Sequence, residues 1–231
     1  MYAKFFKRLL DFILSFVSLI VLSPILLILT VIGAIAMGGN PFFIQLRPGK
    51  IDPKTGKEKI FRLVKFRTMS NKRDVEGNLF PDDMRLNKYG KFLRSTSLDE
   101  LLELFNILKG DMAIVGPRPQ LVRDMVFMSR EQRKRHTVSP GLTGLAQVNG
   151  RNGLSWEKKI EFDLRYIEKI TLWNDMKIIF KTVCTVFARE GISQEGMVTA
   201  EDLGDYLLHK QEISHEEYIC KQEEAREILN R

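Results

Sequence analysis

Cysteine is scarce in this chain of 231 residues. Its two cysteines, Cys184 and Cys220, have no CxxC spacing and no histidine at metal-ligand distance, and there are only three histidines in all. No disulfide framework is implied, and both cysteines are expected as free thiols in a reducing compartment. Internal repeats are missing. So are a recognition-helix pattern and an aromatic-basic RNA motif, so the net charge of +7 is not read as nucleic-acid binding. That charge is uneven: residues 201–231 hold nine Asp or Glu against four Lys or Arg, a net −5, leaving +12 on the first 200. A basic body of this kind attracts anionic headgroups or phosphorylated substrates. With 44% hydrophobic and 28% charged residues, the composition is that of a folded protein.

Charge is also missing from residues 12–37, where most positions are Leu, Ile, Val, Phe or Ala. The run exceeds the roughly 20 residues that a spanning helix needs. It is too long for a secretory h-region of about 7–15 residues, although Lys4, Lys7 and Arg8 precede it and Ala34-Ile35-Ala36 imitates a cleavage site. Ser23-Pro24 lies near its middle, where proline removes a backbone donor and a serine can satisfy the freed carbonyl. Each half is then about 16–20 Å of helix, short of a hydrocarbon core of about 30 Å. Cations flank both ends, with Arg47, Lys50 and Lys54 on the far side, which favours keeping both flanks cytoplasmic. A kinked span and a segment that enters, bends at Pro24 and returns both satisfy these facts.

Downstream, residues 42–46 and 60–69 read as two strands of a hairpin around Asp52-Pro53-Lys54-Thr55-Gly56. Lys65 and Arg67 then share a strand face. Residues 97–108 read as a helix with Leu98, Leu101, Leu102, Phe105 and Leu108 in one stripe, a Ser97/Glu100 capping box and a stop at Gly110. Residues 155–167 form another, with Trp156, Ile160, Leu164 and Ile167 on one side. A third opens at Asn174 and carries Met176, Ile179, Phe180, Val183 and Phe187 to Gly191. Cations flank its stripe, so it fits a membrane surface or the core equally. Gly116-Pro117-Arg118-Pro119, Pro140-Gly141-Leu142-Thr143-Gly144 and Asn149-Gly150-Arg151-Asn152-Gly153 read as surface loops. The acidic tail shows two short helical patterns near Thr199 and Ser214 and is expected to be peripheral.

Asp99-Glu100 is the acidic pair with the most chemical potential. Placed in a first helical turn, the two carboxylates either cap the helix or act on a substrate. A carboxylate can attack phosphorus, and a neighbouring one can hold Mg2+. Lys65, Arg67, Arg94, Arg118 and Arg151 are candidate cations for a diphosphate.

These pieces, in order, resemble the bacterial sugar transferase family, specifically its small monotopic phosphoglycosyl transferases. The resemblance covers roughly residues 1–198. It rests on Ser23-Pro24, Lys65-Phe66-Arg67-Thr68-Met69, Arg94 through Asp99-Glu100, and Lys109-Gly110-Asp111-Met112. Gly116-Pro117-Arg118-Pro119, Pro140-Gly141-Leu142-Thr143-Gly144 and Gln147-Val148-Asn149-Gly150-Arg151 complete it.

The resemblance implies an α+β fold. An amino-terminal re-entrant membrane helix (1–40) precedes a mostly helical cytoplasmic catalytic domain (41–198) with a β-hairpin and interfacial amphipathic helices, and an acidic helical extension (199–231) follows. It implies a monotopic enzyme at the cytoplasmic face of the bacterial inner membrane, among membrane lipids, acting at the first membrane step of glycoconjugate assembly. Asp99 would attack the β-phosphate of a UDP-sugar, that of an N-acetylated hexose, and release UMP. Glu100 would help coordinate Mg2+, and undecaprenyl phosphate would then take the phosphosugar. Lys65, Arg94, Arg118 and Arg151, with Arg67 as an addition, would hold phosphates. Asp163 and Tyr166 echo a family pattern and read as structural. Leu145 stands where some relatives have tryptophan. The alternative is a non-enzymatic membrane adaptor with a basic lipid- or partner-binding face; a homodimer is left open.

Overall fold

The computed structural model describes residues 2–150, 153–188 and 201–230. A turn of 3₁₀ helix at Tyr2–Lys4 leads into α1, Phe6–Met37, which runs unbroken through Pro24. Proline leaves the carbonyl of Ile20 without its backbone donor, and the Ser23 hydroxyl donates to that oxygen at 2.7 Å. The expected division into two half-helices is thus absent at the level of helical continuity. Gly38, at φ 63°, ends the helix in the left-handed conformation that glycine adopts without penalty.

One stripe of α1 faces the rest of the protein: Lys7, Asp11, Ser15, Leu19, Leu22, Leu26, Leu29 and Gly33. Steps of three and four keep one face inward. Its polar end is bonded. Lys7 pairs with Asp175 at 2.6 Å, Arg8 donates to the carbonyls of Ile107 and Leu108, and Asp11 accepts from the Ile114 N–H at 3.1 Å. At the far end, the Tyr89 hydroxyl donates to the Leu29 carbonyl at 2.8 Å and Asn87 to that of Ala36 at 3.0 Å. The expected flanking cations Lys7 and Arg8 are therefore anchored to protein groups.

Strands β1 (Phe42–Ile51) and β2 (Glu58–Phe66) form the antiparallel hairpin, with Phe42 opposite Phe66 and a register shift between Pro48 and Ile51. Strand β2 ends at Phe66, three residues before the expected limit. After the short α2 (Asp82–Arg85), α3 (Lys88–Thr96) stops at Ser97. A 3₁₀ turn, Leu98–Leu102, joins it to α4 (Glu103–Lys109). Two cores lie between α1 and the hairpin. Leu26, Leu29, Phe66, Leu93 and Leu102 form one, and Phe61, Leu63, Leu104, Ile107 and Met112 the other.

Strand β3 (Ala113–Val115) pairs in parallel with β4 (Gly141–Thr143), with α5 (Val122–Met125) between them. Sequence reading missed this pair, because each strand is three residues long and lies beside a glycine- and proline-rich turn. The glycines permit backbone-on-backbone contact: a methyl group at Gly141 would fall on the backbone nitrogen of Gly116. Helix α6 (Trp156–Glu168) starts where expected, with the Ser155 side chain accepting from the Lys158 N–H. Helix α7 (Leu172–Ala188) begins two residues before Asn174, and Gly191 lies outside the described residues. Of its expected stripe, Met176, Phe180 and Val183 face out at 50%, 71% and 49% exposed, joined by Trp173 at 69%, whereas Ile179 packs against the core. Asp175 and Ile178 face in. Helices α8 (Leu203–His209) and α9 (His215–Leu229) pack onto α5 and α6, so the acidic tail is docked rather than peripheral.

Candidate active site

Helix α3 cannot continue past Ser97, which takes a left-handed conformation at φ 56°. Non-glycine residues adopt it rarely, and such strain concentrates at functional sites. The Ser97 side chain makes no cap bond, so the expected capping box does not form. The stripe shifts as well. Leu102, Leu104 and Ile107 are buried while Phe105 is exposed, because the tighter 3₁₀ turn rotates α4 relative to a continuous helix. The turn brings Asp99, Glu100 and Glu103 to one place.

Glu100 is tightly held. Its Oε1 lies 2.9 Å from Lys65 Nζ and also accepts from Arg118 Nη2, while Oε2 accepts from Arg118 Nη1 at 3.3 Å. Burial opposes its charge, but Arg118 and then Lys65 outweigh that and hold the carboxyl well below the ordinary range. Lys65 also pairs with Glu103 at 3.0 Å. Burial alone would lower the Lys65 pKa; Glu100 and Glu103 reverse this and raise it. Glu103 is 1% exposed, and burial shifts its carboxyl upward.

Asp99 contrasts with its neighbour. Among the described residues its carboxyl makes no hydrogen bond or ion pair. Burial, and then the Glu100 charge, push its pKa up to about 6. A carboxylate with raised pKa and free lone pairs is a competent nucleophile at neutral pH, since most of it is still ionised.

The remaining expected cations divide. Arg94 reaches the Thr68 hydroxyl from α3, donating through Nε at 3.1 Å, and burial is the first cause of its lowered pKa, with Asp99 acting against it. Arg67 lies at the end of the hairpin, where its backbone N–H donates to the Pro41 carbonyl. Among the described residues its side chain has no hydrogen bond or ion pair. Arg151 lies outside the described residues.

Sequence reading missed three contributors. Glu103 stands four residues after Asp99 and three after Glu100, a helical spacing that could have flagged it. Arg47 stands out in the sequence only as a flanking charge. Its Nη1 donates to the Pro119 carbonyl at 3.1 Å, its Nε is buried without a partner among the described residues, and burial followed by the Arg118 charge lowers its pKa to about 10. Arg135, 1% exposed, donates to the Arg118 carbonyl at 2.6 Å and to Asp163 at 2.6 and 2.9 Å. Asp163 and Tyr166 are both buried, and the Tyr166 hydroxyl donates to Asp175 at 2.9 Å.

Among the described residues no three His, Cys, Asp or Glu side chains are grouped as a metal cage. Glu100 Oε1 is occupied twice, whereas Oε2 has only the 3.3 Å contact. Oε2 therefore has lone-pair capacity for a hard cation that completes its shell with water and phosphate oxygens.

Residues 2–189 match the family model described as bacterial sugar transferase. A Bacillus subtilis protein named as the uncharacterized sugar transferase EpsL is 45% identical over 195 residues, covering 84% of this chain and 94% of its own. The UDP-glucose:undecaprenyl-phosphate glucose-1-phosphate transferase of Klebsiella pneumoniae is 44% identical over 188 residues, 77% of this chain and 39% of its own. An Aeromonas hydrophila relative is named as a UDP-N-acetylgalactosamine-undecaprenyl-phosphate N-acetylgalactosaminephosphotransferase. It is 34% identical over 198 residues, 81% of this chain and 45% of its own. The chain thus spans nearly all of the first relative and under half of the other two.

Proposed function

The chain belongs to the bacterial sugar transferase family, and on that premise we propose that it moves a sugar 1-phosphate from a UDP-sugar to undecaprenyl phosphate, releasing UMP. An Asp99 carboxylate oxygen bonds to the β-phosphorus as the bond to the oxygen bridging the two phosphates breaks, and UMP leaves with that electron pair. A phosphate oxygen of the lipid carrier then attacks the same phosphorus and returns Asp99 to its carboxylate. Both steps are displacements at phosphorus, and the lipid diphosphosugar is the product.

One observation carries this reading: a carboxyl without an ion pair among the described residues, Asp99, beside one tied to two cations, Glu100. Two adjacent carboxylates in such different surroundings are suited to different roles. Lys65 and Arg118 neutralise Glu100 and leave donor capacity for phosphate oxygens, with Arg94 and Arg67 nearby in sequence and fold. Mg2+, held through Glu100 and the donor's own oxygens, would supply charge neutralisation of the diphosphate. Names of relatives include glucose, galactose and N-acetylgalactosamine, so the N-acetylated hexose is a choice that a donor panel decides.

The membrane arrangement we propose is monotopic, on the cytoplasmic face. Helix α1 is long and apolar enough to cross a bilayer by length and composition. It packs on the same body from Lys7 to Gly33, however, and bonds to it again at Ala36. That supports a helix whose two ends stay on one side, with Phe12, Val17, Val21, Leu27 and Ile35 turned outward into lipid. Trp173 and Phe180 of α7 extend the apolar face. The test is UMP release from a panel of UDP-sugars with undecaprenyl phosphate and Mg2+; absence of UMP with every donor would refute the reaction.

A further inference from the structure

The carboxy-terminal extension lies beyond the family match, which ends at residue 189, yet it ties α5, which follows the Arg118 loop, to α6. Helix α5 begins four residues after Arg118, and α6 five residues after Arg151. On the α5 side, Asp124 is 2% exposed and accepts twice. Its Oδ2 takes the Leu121 N–H at 3.0 Å, and its Oδ1 takes the Leu203 N–H at 3.0 Å. Arg123 pairs with Asp202 at 2.5 Å. Ala225 of α9 is buried with Val122, Met125 and Val126.

On the α6 side, the Trp156 indole N–H donates to the Glu201 carbonyl at 3.1 Å. Tyr206 and Lys210 both donate to Glu157, at 2.8 and 2.7 Å. Leu203 is buried between the two sides, against Met128, Trp156 and Ile160. Gly204 sits so close that a Cβ there would lie 2.6 Å from the Phe127 ring. The fit is tight on both faces.

We propose that residues 201–230 act as an internal clasp that fixes α5, and with it the Arg118 loop that precedes it, against α6, with Asp124 as its central positioning residue. The reasoning rests on the transfer reaction above only for its kinetic consequence. Arg118 is held from three directions: by Glu100 at its guanidinium, by Arg135 at its carbonyl, and by the Asp124–Leu203 bond through α5. Loosening the third lets the loop shift while Lys65 still holds Glu100, so donor binding weakens more than turnover.

The test uses the full-length protein carrying Asp124→Asn, with Leu203→Pro as the second variant. Proline at the first position of α8 deletes the N–H donor and is compatible with a helix start. Each should raise KM for the UDP-sugar by about tenfold, a modest share of what small misplacements cost, while kcat stays within about threefold. Amide exchange across residues 116–125 should quicken by about tenfold without substrate. If exchange quickens but KM holds, or if exchange is unchanged in whichever variant folds, the clasp is wrong. Should wild-type protein release no UMP from any donor while exchange still responds, the reaction fails and the mechanical link stands.

Discussion

Arg118 grips both carboxylate oxygens of Glu100, and that grip leaves Asp99, among the described residues, as the unpaired acid of the turn. Adjacent carboxyls accordingly move in opposite directions: Arg118 and Lys65 outweigh burial and hold Glu100 well below its ordinary range, while burial and then the Glu100 charge push Asp99 up to about 6. Bidentate guanidinium pairing is both strong and oriented. It also places the Arg118 charge near Asp99 without an ion pair between them.

Replacing Asp99 with Asn should therefore abolish transfer without unfolding the protein. Turnover is expected to fall by about 10³-fold or more, as for a lost nucleophile. The melting temperature should hold or rise at neutral pH, because the folded state carries a carboxyl whose pKa burial raises. Above about pH 6 the ionised form costs stability, and the neutral amide does not. Incubation with UDP-sugar but no lipid acceptor should yield a mass adduct on Asp99 in the wild type only. Normal turnover by a folded Asp99→Asn protein would end the covalent mechanism.

The same residue sets an acid limb. Attack needs the carboxylate, so kcat/KM should rise with pH through about 6 and then level off. Glu100 is the second cause of the upward shift, so Glu100→Gln should move the midpoint to lower pH even as it lowers the plateau. A limb that stays in place would show that another group titrates.

Much of this geometry could be read from residue order, and the parts that could not share a cause. The hairpin, α6 with its Ser155 cap, and the Gly110 stop follow from local propensity and turn chemistry. The left-handed Ser97 does not, since leucines at 98, 101 and 102 suit a 3₁₀ turn as well as an α-helix. The three-residue strands β3 and β4 carry too little alternation to register, and glycine there serves backbone contact rather than a turn. Arg47 and Asp124 gain their meaning only from partners 72 and 79 positions away. The motifs of the acidic pair were legible; the ion pairs that divide its labour are tertiary.

Lys65 should be the least replaceable of the cations for stability. It lies between Glu100 and Glu103, with only 14% of its side chain exposed. Lys65→Met leaves two buried carboxylates short of a counter-charge, which typically costs about 3–5 kcal/mol. Denaturant unfolding should show a markedly lower midpoint together with lost activity. An unchanged midpoint would mean that the pairing is not formed in solution.

Topology can be read by chemical labelling. With Cys184 and Cys220 replaced by serine, single cysteines at Ala3 and Gly39 flank α1. In inverted and right-side-out vesicles, both should react with an impermeant maleimide from the cytoplasmic side only. Reaction from opposite sides would make α1 a span, and the bonds of Lys7 to Asp175 and of Asn87 to Ala36 could not then both persist in one folded body at one face.

The outward face of α7 makes a separate claim on lipid. Trp173, Met176, Phe180 and Val183 are all about half exposed or more, and their spacing of three and four places them on one side of the helix. An aromatic and aliphatic stripe of this kind binds at the headgroup boundary. In a full-length protein, Trp173→Asp with Phe180→Asp should leave α1 inserted, because its apolar run is intact, yet expose α7 to water. Quenching of Trp173 by bromine-labelled lipid in the wild type, with Trp156→Phe removing the other indole, provides the reference signal. Strong quenching by lipids labelled near the headgroup is expected, and the double aspartate variant should transfer sugar phosphate to the long-chain acceptor several-fold more slowly while it still releases UMP in a single donor turnover. Equal rates with the lipid acceptor, or no quenching at Trp173, would mean that this stripe faces water or a protein partner and that α1 alone holds the enzyme at its carrier.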